Sequence, residues 1–402
     1  MYSLPVRRLK QILARVVPGL ALGPVEEFPS TQLARLYTLS MSDGRKLLLS
    51  FAPSLAVRLL RHEATMLSSE ATLVHFLAET APGQSLESVD SKRTDPSAAI
   101  SFLSGLVPKI LKHSSNNREM AYPYSIFESI PGAPLSTLAI YLSIPERRHV
   151  DEQIGSLARN LAYLTSPSGA FGTVSQVLPD PFASAAPTTP EFTGSKTWSE
   201  AFGLLLEGIF RDGEDMAVLL PYETLRSYYQ RLSSHLDAVT LPRLLVLDAG
   251  TEANVMIERS SEHGPADVPS DGCRLTGLRS WSQGVFGDPL LSNCFDDPSE
   301  AFLEGWREEG ENLIEDEKNS ETRLLIYRCF RAVVSIVTEY YRPQYDSSRR
   351  ELEGRRALTS ALAALEKVDL PSELPKRRRS RSGESQGSGS EGSKRMKVEK
   401  VE

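Results

Sequence analysis

The chain predicts an α+β architecture of two lobes, a small β-rich N-terminal lobe followed by a larger helical C-terminal one. Three observations carry that expectation. Runs of strand-forming residues bounded by turn signals gather before residue 130. Apolar residues at helical spacing dominate after it. Between them Ile130-Pro131-Gly132-Ala133-Pro134 interrupts both patterns and marks a junction. The division that follows is an N-terminal lobe over 1–130, a helical C-terminal lobe over 131–370 and a disordered basic tail over 371–402. At 402 residues the chain is long enough to bury a large core without disulfides or a structural metal.

The elements are justified in order. Val6–Val17 alternates basic and apolar residues at helical spacing and predicts a short surface helix. Leu33–Met41 and Lys46–Phe51 are rich in strand formers, and Ser42-Asp43-Gly44-Arg45 between them is a hairpin turn. Ser54 is placed to cap a helix with Leu55, Leu59 and Leu60 on one face, and Glu70–Leu77 continues helically. Gln84–Ser97 is polar, without period, and reads as a loop. Leu106–Leu111 and Tyr124–Glu128 predict two further strands around a polar Lys112–Met120 loop. Beyond the junction, Pro145–Leu164, Tyr222–Leu236 and Leu324–Tyr341 predict helices, while the proline-rich Pro179–Pro190 is a loop. Glu308–Glu317 is strongly acidic and is expected to face solvent.

Charge separates the chain into two functional questions. The 45 basic and 52 acidic residues give a net charge of −7. Lys376–Glu402 alone carries +5, which leaves −12 on the residues before it. An acidic body does not suit the phosphate backbone of nucleic acid. The apolar stretch Val16–Leu22 is broken by Pro18 and Gly19, which argues against a signal peptide, and no run is long enough to span a membrane. Cys273, Cys294 and Cys329 offer neither a disulfide framework nor zinc spacing and point to a reducing compartment. The six histidines are dispersed, and neither a P-loop nor a Gly-x-Ser-x-Gly elbow occurs.

Five strings in order carry a resemblance: Asp43-Gly44-Arg45-Lys46-Leu47-Leu48-Leu49-Ser50, Val107–Leu111, Phe127–Leu135, Leu247-Asp248-Ala249-Gly250-Thr251-Glu252-Ala253-Asn254, and Leu275–Trp281. Together they resemble the aminoglycoside phosphotransferase family, especially its fungal branch, over roughly Leu33 to Tyr341. The resemblance implies a two-lobed protein-kinase-like fold, in which active members move a γ-phosphoryl group from a nucleoside triphosphate to a hydroxylated small molecule. It also maps roles onto residues. Ser50 falls where the family has a phosphate-contacting lysine, with Lys46 four residues earlier on the same face of a regular strand. Glu70 matches the helix glutamate that pairs with that lysine; deprived of its partner, it is expected on a solvated face. Ala249 stands at the catalytic base, with Asp248 one residue away as a displaced substitute, and Asn254 matches a metal-binding asparagine. Ser280 replaces a magnesium carboxylate, and no glycine occurs between Gly23 and Leu33 to form a flexible phosphate cover.

Alanine cannot accept a proton, and serine is a poor exchange for a lysine or for a magnesium-binding carboxylate. The departures imply a catalytically impaired, pseudokinase-like protein acting through protein contacts, with no cofactor implied. The alternatives are a divergent phosphotransferase using ATP and magnesium, or a noncatalytic binder of a small metabolite between the lobes. Cofactor-binding candidates are Asn254, Glu70 and Ser50; Asp248 is the one catalytic candidate. In the tail, Lys376, Arg377, Arg378, Arg379 and Arg381 precede a Ser/Gly-rich spacer and then Lys394, Arg395 and Lys397. Two exposed basic clusters on an extendable spacer resemble a bipartite nuclear-import signal, with an import receptor as partner and a nuclear, or shared nuclear and cytoplasmic, location.

Overall fold

The computed structural model describes residues 4–28, 33–79, 96–183, 193–259, 272–307 and 312–369. Helix α1 (Val6–Val16) precedes three strands, β1 (Leu22–Phe28), β2 (Arg35–Met41) and β3 (Lys46–Phe51). Helices α2 (Met66–Glu79) and α3 (Pro96–Ser104) follow, then β4 (Ile110–Ser114) and β5 (Tyr124–Glu128). These strands form one antiparallel sheet in the order β1-β2-β3-β5-β4. Gly44, at φ 86°, supplies the left-handed turn residue between β2 and β3.

Period-two alternation divides the faces of β3. Leu47, Leu49 and Phe51 pack with Leu9, Ile12 and Leu13 of α1 in a small N-terminal core. Lys46, Leu48 and Ser50 therefore look the other way, toward α2 and the second lobe, and Leu48 packs against the larger core.

Past the junction come β6 (Ala133–Pro134), α4 (Leu135–Leu138), α5 (Ile144–Tyr163), β7 (Gly172–Thr173) and α6 (Val174–Val177). Helices α7 (Trp198–Asp215) and α8 (Tyr222–Asp237) lead to β8 (Arg243–Val246), β9 (Val255–Arg259), β10 (Cys273–Leu278) and β11 (Gly284–Gly287). The lobe closes with α9 (Glu300–Trp306), α10 (Ser320–Tyr341) and α11 (Ser347–Asp369). Two small sheets, β10-β9-β6 and β7-β11-β8, form the floor under the cleft. Ser143 and Glu146 close a capping box that starts α5. Buried Trp198, Phe202, Phe210 and Tyr327 centre the helical core. At its heart, fully buried Arg323 pairs with Asp288 at 2.7 Å, and Tyr327 donates to the same carboxylate.

The junction itself is tight. Gly132 sits at φ 90°, and a β-carbon there would lie 2.1 Å from the Ile257 carbonyl oxygen, so only glycine lets the connection pass against β9. A second tie runs from the end of α10: Arg342 forms a bidentate pair with Glu63 ahead of α2, at 2.7 and 2.8 Å. α11 fixes that end of α10, because Arg350 and Ser347 both donate to Glu339.

The α+β, two-lobed expectation holds. Several elements differ from their sequence reading. Residues 55–60 are not helical: Leu55 is 84% exposed and a 3-10 turn forms only at Arg61–Glu63. Pro53 just before this segment and the early turn Val57 N–H to Ser54 carbonyl give it another course. Leu106–Leu111 does not form a strand as a unit; α3 ends just before it, and β4 starts at Ile110 and takes Lys112–Ser114 from the expected loop. The expected Gln84–Ser97 loop ends inside α3, its residues 84–95 lying outside the described ones. In the acidic stretch, residues 308–311 are likewise outside. Glu315, instead of facing solvent throughout, is half-buried and accepts from the Thr240 and Leu241 amides. The 376–402 tail and Pro29–Thr31 also lie outside the described residues.

Candidate functional site in the interlobe cleft

The inner wall of the cleft is built by two short loops. One links β8 to β9 and is pinned by its own backbone, with Thr251 N–H donating to Asp248 and Asn254 N–H to Thr251. Asn293 anchors it from below by accepting from the Gly250 amide at 2.9 Å. The other loop follows β10 and carries Arg279, Ser280 and Trp281; Arg279 N–H donates to the Asn254 carbonyl. The Asn254 side chain, 1% exposed, fastens the loops together. Its Oδ1 accepts from the Ser280 amide at 2.8 Å and its Nδ2 donates to the Ser280 carbonyl at 3.1 Å.

Helix α2 closes this wall. Glu70 is 7% exposed and its Oε1 accepts from Ser280 Oγ at 2.8 Å and from the Trp281 amide at 2.9 Å. The expectation of a solvated Glu70 is thus corrected: α2 is buried on several sides, from Ser69 through Val74. Burial raises the Glu70 pKa more than its hydrogen bonds lower it.

A cavity of about 270 Å³ opens between these loops and α2, lined by Glu63, Glu70, Asp248, Asn254, Ser280 and Arg342, among others. Gln283 Nε2 donates to Asp248 Oδ2 at 3.2 Å, while buried Oδ1 has no hydrogen-bond partner. Burial pushes the Asp248 carboxyl up to about 7, and the neighbouring Glu70 charge adds to the rise. Glu63, Glu70 and Asp248 thus share the lining of this cavity with one guanidinium, Arg342, which is committed to Glu63.

A second cavity of about 390 Å³ lies on the junction side of the cleft, with Phe28, Lys46, Leu48, Ile130, Met256 and Arg279 in its walls. The Arg279 guanidinium lies 4.3 Å from the centre of the Phe28 ring. Arg279 lines this cavity, and the next residue, Ser280, lines the inner one.

Of the sequence-derived candidates, the structure brings Glu70, Asp248, Asn254 and Ser280 into one cavity. Lys46 lines the other. Ser50 lines neither; its hydroxyl is buried without a partner, opposite Ser125, which bonds His113 Nδ1 at 2.9 Å. Ala249 and Trp281 are buried as core residues. Sequence reasoning missed Glu63, Arg342 and Gln283. No local motif marks them, since Arg342 arrives from the far end of α10.

The described structure resembles solved phosphotransferase-like proteins. A candidate fructosamine-3-kinase from Thermobifida fusca matches with a TM-score of 0.52 at 16% identity, over 89% of this chain and 99% of that one. A candidate aminoglycoside phosphotransferase from Ralstonia eutropha gives 0.52 at 11%, over 91% and 99%. The GDP complex of wild-type aminoglycoside 2′-phosphotransferase-IIIa gives 0.50 at 14%, over 89% and 98%. No family model matches the chain, nor does any curated protein. The fold is phosphotransferase-like and two-lobed.

The residues present do not fit a magnesium triphosphate held in the manner the resemblance implies. Serine stands at the metal carboxylate, the Asn254 amide is turned to backbone, and the β3 position has a hydroxyl for an ammonium. Among the described residues no three His, Cys, Asp or Glu side chains converge as a metal-holding group.

Proposed function

We propose that the protein binds a small molecule in its interlobe cleft, as a phosphotransferase-like fold turned to recognition. The observation that carries this reading is the inner cavity, where Glu70, Asp248, Asn254 and Ser280 converge and the cation in the lining, Arg342, is paired with Glu63. Losing the residues of transfer chemistry does not remove the concave space between lobes, and concave, part-apolar clefts are where small molecules bind. Native mass spectrometry of the purified full chain tests it: a bound small molecule is expected, and Ser282→Trp, which fills the cavity from its rim, is expected to expel it. A chain that carries no ligand, and whose melting temperature no metabolite panel moves, would overturn the reading.

A divergent phosphotransferase is the second reading, and one observation favours it. Asp248 lies in the same cavity as Asn254 with its pKa near neutrality, the range in which a carboxylate can take a hydroxyl proton effectively. Sustained transfer from magnesium-ATP to a hydroxylated acceptor, abolished by Asp248→Ala with folding kept, would put this reading first. Kinship with the fungal branch of the aminoglycoside phosphotransferase family rests on the ordered sequence strings. The protein-scaffold reading rests on the acidic body and basic tail, and nothing on the described surface selects a docking face.

A further inference from the structure

We infer that the inner cavity takes the ammonium group of a small primary amine, held by Glu70 with Asp248 as the second carboxylate. The inference rests on the small-molecule reading above and specifies the class of ligand.

Glu70 is the acceptor. It is 7% exposed and lines the cavity, and both of its protein hydrogen bonds end on Oε1, which leaves Oε2 without a donor. A buried carboxylate oxygen without a donor is costly, and the cost falls when a ligand brings one. Asp248 hangs from the same short turn. Ser280 Oγ and the Trp281 amide donate to Glu70, and Gln283, two residues on, donates to Asp248. This second carboxyl is also short of donors, since Oδ2 has that one side-chain bond and Oδ1 has none. The two groups are near enough that the Glu70 charge raises the Asp248 carboxyl, and only hydrogen bonds lower either of them. Arg342, the cation in the lining, gives its guanidinium to Glu63 and to the Arg58 carbonyl.

The donor set selects the kind of cation. A hard divalent ion calls for roughly six to eight oxygen ligands, whereas no three His, Cys, Asp or Glu side chains converge among the described residues. An ammonium brings three N–H donors and a full positive charge, which two carboxylates favour over any neutral donor. The Ser282 hydroxyl lines the same cavity and adds a neutral acceptor. The rest of the wall suits a hydrocarbon body. Leu33, Pro53, Met66 and Leu67 stand in the same lining, and a cavity of about 270 Å³ admits an aliphatic chain of a few carbons.

Titration of the full chain with n-butylamine, 1-butanol and butyrate at pH 8 tests the assignment. Binding is read by NMR from the amide resonance of Trp281, which donates to Glu70. At that pH Asp248, pushed up to about 7, is mostly ionised, while an alkylamine keeps its proton. Butylamine is expected to bind at least tenfold more tightly than either analogue. Glu70→Gln keeps an acceptor for Ser280 and Trp281 but removes the charge, and should weaken butylamine about tenfold. Asp248→Asn should weaken it about fivefold, and both variants should leave 1-butanol within about twofold. A general loosening of the cavity would move both probes together and contradict the assignment. Equal affinity of butylamine and 1-butanol for the wild-type protein would overturn the inference without recourse to any variant. So would full retention of butylamine binding in both variants. A cleft ligand that Ser282→Trp expels, found beside equal affinities for the three probes, would leave the small-molecule reading standing and remove the amine. Absence of any cleft ligand, with no probe binding, would remove both.

Discussion

Moving a carboxylate out of water penalises its ionised form, and at Asp248 only the Gln283 amide offsets that penalty from another side chain. The folded protein raises this group from 3.8 to about 7. The sign of the linkage follows. Below the unfolded value both states hold the proton and nothing is lost. As pH rises toward 7 the unfolded chain releases its proton first, so folding is progressively destabilised until the folded group also ionises. Asp248→Asn, which removes the charge but keeps the shape, is therefore expected to raise stability at pH 8 by about 2 kcal/mol, a value discounted for the partial exposure of the group. The gain should fade by pH 4. Chemical denaturation at both values measures it, and an equal gain at both would contradict buried ionisation as its origin. A side chain that costs stability where it stands is the expected signature of a site kept for binding. At this scale the sequence was partly legible. Ala249 and Ser280 could be judged from their chemistry alone, because the question was what an alanine or serine can do. The burial of Glu70 could not, because its polar neighbours Ser68 and Ser69 resemble a surface while α2 is covered by loops distant in sequence.

At the scale of elements, legibility followed how local the determining forces are. The β2–β3 hairpin declares itself through strand formers around Asp43-Gly44, where a left-handed glycine fixes the turn. Leu55, Leu59 and Leu60 have helix-like spacing, yet only Leu60 finds the core. Spacing describes a face without supplying anything to bury it. β9 and β10 are stabilised by pairing across residues 260–271, a long separation that no short window reports. Helix α10 is held by a different means, the buried ion pair from Arg323 to Asp288 with Tyr327 and Trp198 behind it. Arg323→Met removes one partner and leaves Asp288 charged in an apolar core, so a loss of about 3–5 kcal/mol is expected. Urea unfolding at pH 7 is the measurement. A loss under ~1 kcal/mol would mean that water or another cation reaches Asp288.

For the whole molecule, the sequence sets an acidic body, net −12, against a basic tail, net +5. We propose that Lys376–Arg381 and Lys394–Lys397 act together as an import signal. Neutralising both clusters is expected to lower the nuclear-to-cytoplasmic ratio of the full chain without moving its melting temperature, and neutralising one should give an intermediate ratio. An unchanged ratio in the double variant would reject the tail as the dominant signal. No helix among the described residues is long and apolar enough to cross a membrane.

The clasp at the end of α10 has a practical corollary for anyone shortening this chain. A stop codon placed after Asp369 leaves α11 in position, with Ser347 and Arg350 still holding Glu339. One placed before Ser347 strips Glu339 of both donors, three residues from the arginine that grips Glu63 and forms part of the cleft wall. If the cleft binds a ligand as proposed, its affinity is expected to depend on where the C-terminus is cut, and a truncation series read only for expression would mistake a loosened binding site for an inactive protein.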